Sequence, residues 1–112
     1  LKGKIVNKSF IWLSFDLGIQ GDYEGLYNWL DTHHALECGD SLAGLDYEYD
    51  TELIEELKKD IQEYVRTDKK TRIYLIRPES GKMKGRFIFG NRKNAPWSGY
   101  GQHIAQEEDD GI

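Results

Sequence analysis

Between Ser9 and Leu17 apolar and polar positions alternate along an extended pattern. Ile11, Leu13, Phe15 and Leu17 fall on one side, and Phe10, Trp12, Ser14 and Asp16 on the other. Successive side chains of a strand point to opposite faces, so the first set predicts a face covered by helices. The second set is mixed and predicts a face of different character. The run is the most apolar in the chain and ends on a lone acid, followed by a loop holding Gly18 and Gly21. It reads as a central strand that delivers Asp16 to its C-terminal edge, where open α/β sheets place ligands.

The period then changes. Tyr23, Leu26, Tyr27 and Leu30 recur at helical spacing, with Asp22 as the expected N-cap and an end near Thr32, His33 and His34. Gly25 inside this helix costs about 1 kcal/mol relative to alanine, so the helix is expected to depend on packing. A short strand over Ala35–Cys38, a turn at Gly39 and Asp40, and a longer strand over Ser41–Tyr49 follow. In the longer strand Leu45, Tyr47 and Tyr49 oppose Asp46 and Glu48. Asp50 is the expected cap of a second helix, Thr51–Val65, with Leu53, Ile54, Leu57, Ile61, Tyr64 and Val65 as its buried stripe.

After a polar turn, Thr71–Arg77 and Lys82–Gly90 form a hairpin around Pro78–Gly81, with Met83, Gly85, Phe87 and Phe89 expected as a buried alternating face. Asn91–Gln102 reads as an irregular loop. Residues 106–112 form an acidic tail expected to be disordered, which leaves 1–105 as a single domain.

Strand, helix, strand, strand, helix, strand, with one further strand, is the order of an α+β ferredoxin-like split βαβ sandwich carrying an additional C-terminal strand. Right-handed crossovers then place both helices on one face of an antiparallel sheet. The expected core holds Ile11, Leu13, Phe15, Leu26, Leu30, Leu53, Leu57, Ile61, Ile73 and Leu75. The opposite face, with Trp12 and some of the tyrosines, stays open unless a partner covers it. A homodimer is therefore expected, and a non-catalytic module that binds protein on this open face is the alternative to a nucleic-acid-handling one.

Composition narrows the class. The chain has 112 residues, long enough for one unstapled core, and its single cysteine, Cys38, cannot form an internal disulfide. That favours a reducing, cytoplasmic setting. No apolar run approaches the roughly 20 residues that span a bilayer. The net charge of −5 argues against general affinity for nucleic acid, but the charge is unevenly spread. Thirteen acids lie between Asp22 and Glu63 against only Lys58 and Lys59, whereas Lys82, Lys84, Arg86, Arg92 and Lys93 form a stretch with no acid. These five bases are either a solvated hairpin balancing the acidic helix or an anion-binding patch.

Interleaved with the bases are Phe87, Phe89, Trp97 and Tyr100. Cations for phosphates beside aromatic faces for bases are what single-stranded RNA or DNA binding requires. Trp97 and Tyr100 serve equally well as a cover for an apolar edge or a clasp on a second subunit. Asp16 has two readings as well, an Asx-turn that caps its own loop or a ligand for a hard cation. His33 and His34 suit a helix C-terminus, and only Cys38 lies near enough to extend them toward a zinc site. Ser41 has no evident base, and Gly18 with Gly21 is too sparse for a dinucleotide loop.

Ser14-Phe15-Asp16-Leu17 before a Gly/Asp loop and an aromatic helix resembles the opening of the small CRISPR-associated endoribonucleases and their relatives, the VapD toxins and SinR-like proteins. Glu37-Cys38-Gly39-Asp40-Ser41-Leu42-Ala43 is similar to the segment that SinR-like proteins carry between their helices. Lys70-Thr71-Arg72-Ile73-Tyr74-Leu75-Ile76 resembles their following strand, so the likeness spans about residues 9–77. It implies a homodimeric ferredoxin-like protein in which Asp16 meets its mate across a two-fold axis and binds Mg²⁺ or Mn²⁺ in a nuclease. Residues 82–97 depart from that pattern.

Overall fold

A computed structural model of the chain describes residues 6–101. The expected tail at 106–112 lies outside the described residues. The element order is β1 (Asn7–Asp16), α1 (Tyr23–Thr32), β2 (Leu36–Glu37), β3 (Leu42–Tyr49), α2 (Leu53–Tyr64), β4 (Arg72–Glu79) and β5 (Lys82–Phe89). The five strands form one antiparallel sheet in the order β2-β3-β1-β4-β5. The protein is thus α+β, with β1 at the centre. Ile11 faces Leu45 on one side of β1, while Leu13 pairs with Ala43 and with Leu75.

Both helices contribute to a single core. Leu26, Trp29 and Leu30 of α1 join Leu53, Leu57 and Ile61 of α2 and the expected set of β1. Every residue of the expected core is buried. The helical stripe of α1 is rotated from expectation, however. Trp29 is fully buried, whereas Tyr27 is 53% exposed. Tyr27 spaces correctly for the stripe but lies at its rim, edge-on to Phe15 and tilted against Tyr23.

The two helices start differently. Asp22 caps α1 as expected, its Oδ1 accepting from the Gly25 amide at 3.0 Å. Its Oδ2 accepts from the Arg66 amide at 2.9 Å and so ties the chain leaving α2 to the start of α1. The cap proposed for α2 is corrected: the helix begins at Leu53, after Glu52, rather than at Thr51 after Asp50. Glu56, one turn inside, reaches back and accepts from the amides of Asp50, Thr51 and Glu52 at 2.7, 2.9 and 3.0 Å. A carboxylate within the first turn satisfies the same orphan donors that a preceding Asp would.

Gly25 has a packing role. A Cβ there would collide with the Tyr64 carbonyl oxygen at the end of α2 and come within 2.6 Å of Asp22 Oδ2. The missing side chain lets α1 and α2 approach closely. Farther along the same seam both ring nitrogens of His33 face acceptor oxygens: Nδ1 lies 2.8 Å from the Trp29 carbonyl and Nε2 lies 3.2 Å from Asp60. The Tyr47 hydroxyl also donates to Asp60, at 3.2 Å. Burial, and then the Asp60 carboxylate, push the Tyr47 phenol well above its usual range, so it stays protonated.

The β4–β5 hairpin turns at Ser80 and Gly81, both with positive φ, a two-residue connection matched to strand twist. Pro78 therefore sits inside β4. The ladder from β1 to β4 has ended by then, at Trp12 and Ile76, so its missing N–H interrupts nothing there. The expected buried face of β5 is also corrected. Met83 is 55% exposed, and a bulge between Ile73 and Tyr74 sends Phe89 opposite Ile73 while Phe87 faces Tyr74. The register shift moves Phe89 and Ile88 toward the core and leaves Phe87 on the other face.

Candidate nucleic-acid interface

The β1 residues that alternate with the core set, Phe10, Trp12, Ser14 and Asp16, stay outside the core cluster. Antiparallel pairing sets Asp16 beside Arg72, Ser14 beside Tyr74 and Trp12 beside Ile76. Tyr74 in turn pairs with Phe87 of β5, the rings meeting edge-on at 4.9 Å. Gly85 lies under the Tyr74 ring, which occupies the space a Cβ would need.

This face has two halves. Toward one end, Trp12, Leu42, Ile76 and Met83 surround an apolar depression of about 290 Å³. Toward the C-terminal end of β1, two adjoining depressions of about 280 and 400 Å³ share Asp16, Arg72, Phe87 and Arg92 in their walls. Ser14, Phe15 and Tyr74 complete the first, and residues 93–97 line the second.

Aromatic rings hold the arginines of this groove. The Arg72 guanidinium lies 5.4 Å from the centre of the Phe87 ring, and that of Arg92 lies 5.5 Å from Phe87 and 5.7 Å from Tyr74. Cations over ring faces are held by the ring quadrupole without being neutralised. Arg72 is further fixed by its Nη1, which donates to the Asn91 carbonyl at 3.1 Å. Gly90 makes that bond possible: at φ +80° it turns the chain back over Arg72, and a Cβ would sit 2.6 Å from the Thr71 carbonyl. Among the described residues the Arg72 Nε–H is buried without a hydrogen-bond partner. An unsatisfied buried donor costs about 1–3 kcal/mol.

Asp16 and the bases Arg92 and Lys93 are brought together with Trp97 in this groove. Trp97 is 74% and Tyr100 66% exposed, in a segment of tight turns closed by the Ser98 amide on the Ala95 carbonyl and the Tyr100 amide on that of Trp97. Lys82, Lys84 and Arg86 are not part of the groove. They alternate with Phe87 and pair with Glu79, Arg77 and Leu75, on the strand positions that share the core-facing side. At the hairpin tip Lys84 reaches Glu79 at 3.5 Å, and Arg77 binds Glu79 at 2.7 Å. The Arg77 hydrogen bond, opposed by desolvation and helped by the charges of Arg77 and Lys84, holds the Glu79 carboxyl below its usual range.

Arg72 and Tyr74 are members that sequence reasoning missed. Their signal was present, since Arg72, Tyr74 and Ile76 alternate with the core positions Ile73 and Leu75. Only the pairing with β1 reveals that this alternate set lies beside Asp16.

The groove of a single chain does not fit a divalent cation. Asp16 Oδ1 accepts from the Gly18 amide at 3.1 Å, an Asx-turn, and among the described residues the other charged groups lining the groove are cations. Among the described residues no group of three or more His, Cys, Asp or Glu comes together as metal ligands do. Among the described residues no helix is long and apolar enough to cross a membrane. No protein-family model, curated protein or solved structure matches the chain.

Proposed function

We propose that the protein is a nucleic-acid-handling module that binds single-stranded RNA or DNA on the uncovered face of a ferredoxin-like sheet. The strand order supports that fold. The chain passes from β1 through α1 to β2 across the intervening β3, and from β3 through α2 to β4 across β1. Two interleaved crossovers of this kind make a split βαβ pair, with β5 added beside β4.

One observation carries the functional reading. Arg72 and Arg92 are held on Phe87 and Tyr74, with no carboxylate within salt-bridge distance among the described residues, beside an exposed Trp97. Phosphates need the cations, and bases need a ring or a guanidinium plane to stack on. The local groove thus has the charge that the chain as a whole lacks. The test is titration of unlabelled homopolymer oligonucleotides into the protein, read by intrinsic tryptophan fluorescence, at several salt concentrations. Two or three neutralised phosphates give a slope of log K on log salt of about −1.5 to −2 for single strands. Absence of binding at about 50 mM salt overturns the reading.

The apolar half of the same face favours a second reading, self-association. Trp12, Leu42, Ile76 and Met83 offer a dry patch, and a second copy of the chain would cover it as the expected homodimer. Sedimentation that shows only the 13.0 kDa species at micromolar protein removes that reading and leaves the first untouched.

A further inference from the structure

We infer that the groove recognises the terminal phosphomonoester of a nucleic-acid strand in preference to an internal phosphodiester. The inference rests on the nucleic-acid reading and adds to it the chemical group that is read.

The argument begins with Arg72. Its Nη1 is committed to the Asn91 carbonyl, and its Nε–H, buried, has no partner among the described residues. The edge of a guanidinium formed by Nε and Nη2 is the side-on fork that grips two oxygens of a phosphate at once. Among the described residues that edge has no partner while the opposite corner is anchored, so the guanidinium is oriented before any ligand arrives. Nε, closed to water, meets a phosphate oxygen only as the groove wall beside it gives way. Stacking on Phe87 fixes its plane.

Charge then selects the ligand. Among the described residues Arg72, Arg92 and Lys93 line the groove against one carboxylate, Asp16, an excess of two positive charges. A phosphomonoester carries about −1.5 to −2 at neutral pH, whereas an internal diester carries a single charge. The dianion also offers three terminal oxygens, enough for the Arg72 fork and a second cation together. Size agrees: depressions of about 280 and 400 Å³ each suit a single nucleotide and not a long track. With the phosphate on Arg72 and Arg92, the base of that terminal nucleotide has Trp97 within the same wall to stack on.

Isothermal titration calorimetry with unlabelled strands of about six nucleotides and one sequence tests this. The strands carry a 5′-phosphate, a 3′-phosphate or hydroxyls at both ends. One of the phosphate-ended strands is expected to bind roughly tenfold more tightly than the hydroxyl-ended strand. Which end wins distinguishes the two sources of the monoester. Arg72→Lys keeps the charge and loses the fork, so the phosphate-ended and hydroxyl-ended strands should bind that variant equally. Arg92→Gln, at an exposed position, should narrow the ratio as well and serves if Arg72→Lys fails to fold. Equal binding of all three strands by the unmodified protein overturns this inference and leaves the nucleic-acid reading standing. No binding of any strand overturns both.

Discussion

On the helix-covered side of the sheet Ile11, Leu13 and Leu75 are at most 1% exposed, while one residue along each strand Trp12, Ser14 and Tyr74 remain in contact with water. The first side closes on itself through aliphatic packing. The other places guanidinium groups on aromatic rings and leaves a donor of Arg72 unsatisfied. One side spends its residues on stability and the other holds groups that are worth little to the fold. A face that adds little to folding yet keeps an ordered arrangement of charge is where binding is expected.

Trp29 gives the most severe test of this contrast. It is fully buried, stacked on His33 at 4.2 Å and tilted against Tyr47 at 6.3 Å. Trp29→Ala should cost about 3–5 kcal/mol in urea unfolding. Trp29→Phe should cost less, because the indole Nε1–H is buried with no acceptor among the described residues and its removal relieves that penalty. Trp12→Ala on the other face should cost well under half as much as Trp29→Ala. Equal losses at Trp12 and Trp29 would break the contrast.

Gly25 comes next. Gly25→Ala improves intrinsic helix propensity yet should destabilise by about 1–3 kcal/mol, since the new methyl meets the Tyr64 carbonyl and Asp22. Gain of stability would mean that the helices can part without loss. In sequence this glycine reads as a helix weakness, because its neighbour lies 39 positions away, at Tyr64.

That case shows what the sequence carried. Period-two and period-3.6 patterns placed each strand and helix and selected the core, because burial follows a local repeat. Features that depend on contact between distant segments were not legible. Tyr27 fitted the stripe by spacing, but Trp29 fills the space toward Tyr47. The β5 bulge reversed Phe89, since one inserted residue flips every later side chain. For the groove, Asp16, Arg92, Lys93 and Trp97 were selected by residue type, but Arg72 joined them only through strand pairing. Lys82, Lys84 and Arg86, adjacent in sequence, fell on the other parity of β5.

Glu56 carries a smaller share of the covered side. Glu56→Ala removes the acceptor for three backbone amides ahead of α2 and should cost about 0.5–2 kcal/mol. Asp50→Ala should cost less, since the Asp50 side chain is not the cap of α2. A larger loss at Asp50 than at Glu56 would restore the sequence-based cap.

Acid acts on the same seam. Hydrogen bonds from the amides of Arg66 and Gly25 hold the Asp22 carboxyl below its ordinary 3.8. A lowered folded value means that the stabilisation is fully present above 3.8 and is lost as pH falls through the depressed value. Stability should therefore decline below about pH 4, and Asp22→Asn should flatten that decline while lowering stability at neutral pH. Urea midpoints measured for both proteins across this range give the comparison. Identical acid dependence in the two would show that Asp22 does not contribute to it.

The smallest effect on stability is expected at Arg92, and that smallness sharpens the contrast between the faces. Arg92 is exposed, follows the end of β5 and touches the fold through the rings of Tyr74 and Phe87. An exposed cation–π contact is worth about 0.5–1 kcal/mol, and the like charge of Arg72 nearby offsets part of it. Arg92→Ala should thus change unfolding free energy by no more than about 0.5 kcal/mol. The same substitution removes one cation from the groove, so the salt slope for single-stranded nucleic acid should fall by about 0.7, along with the affinity. Urea unfolding and salt titrations on one preparation separate the two quantities. If Arg92→Ala unfolds the protein as readily as a core truncation, the arginine serves the fold and the groove loses its claim to be a binding site. If stability and the salt slope are both unchanged, Arg92 is a solvated surface charge and Arg72 must hold any phosphate without it.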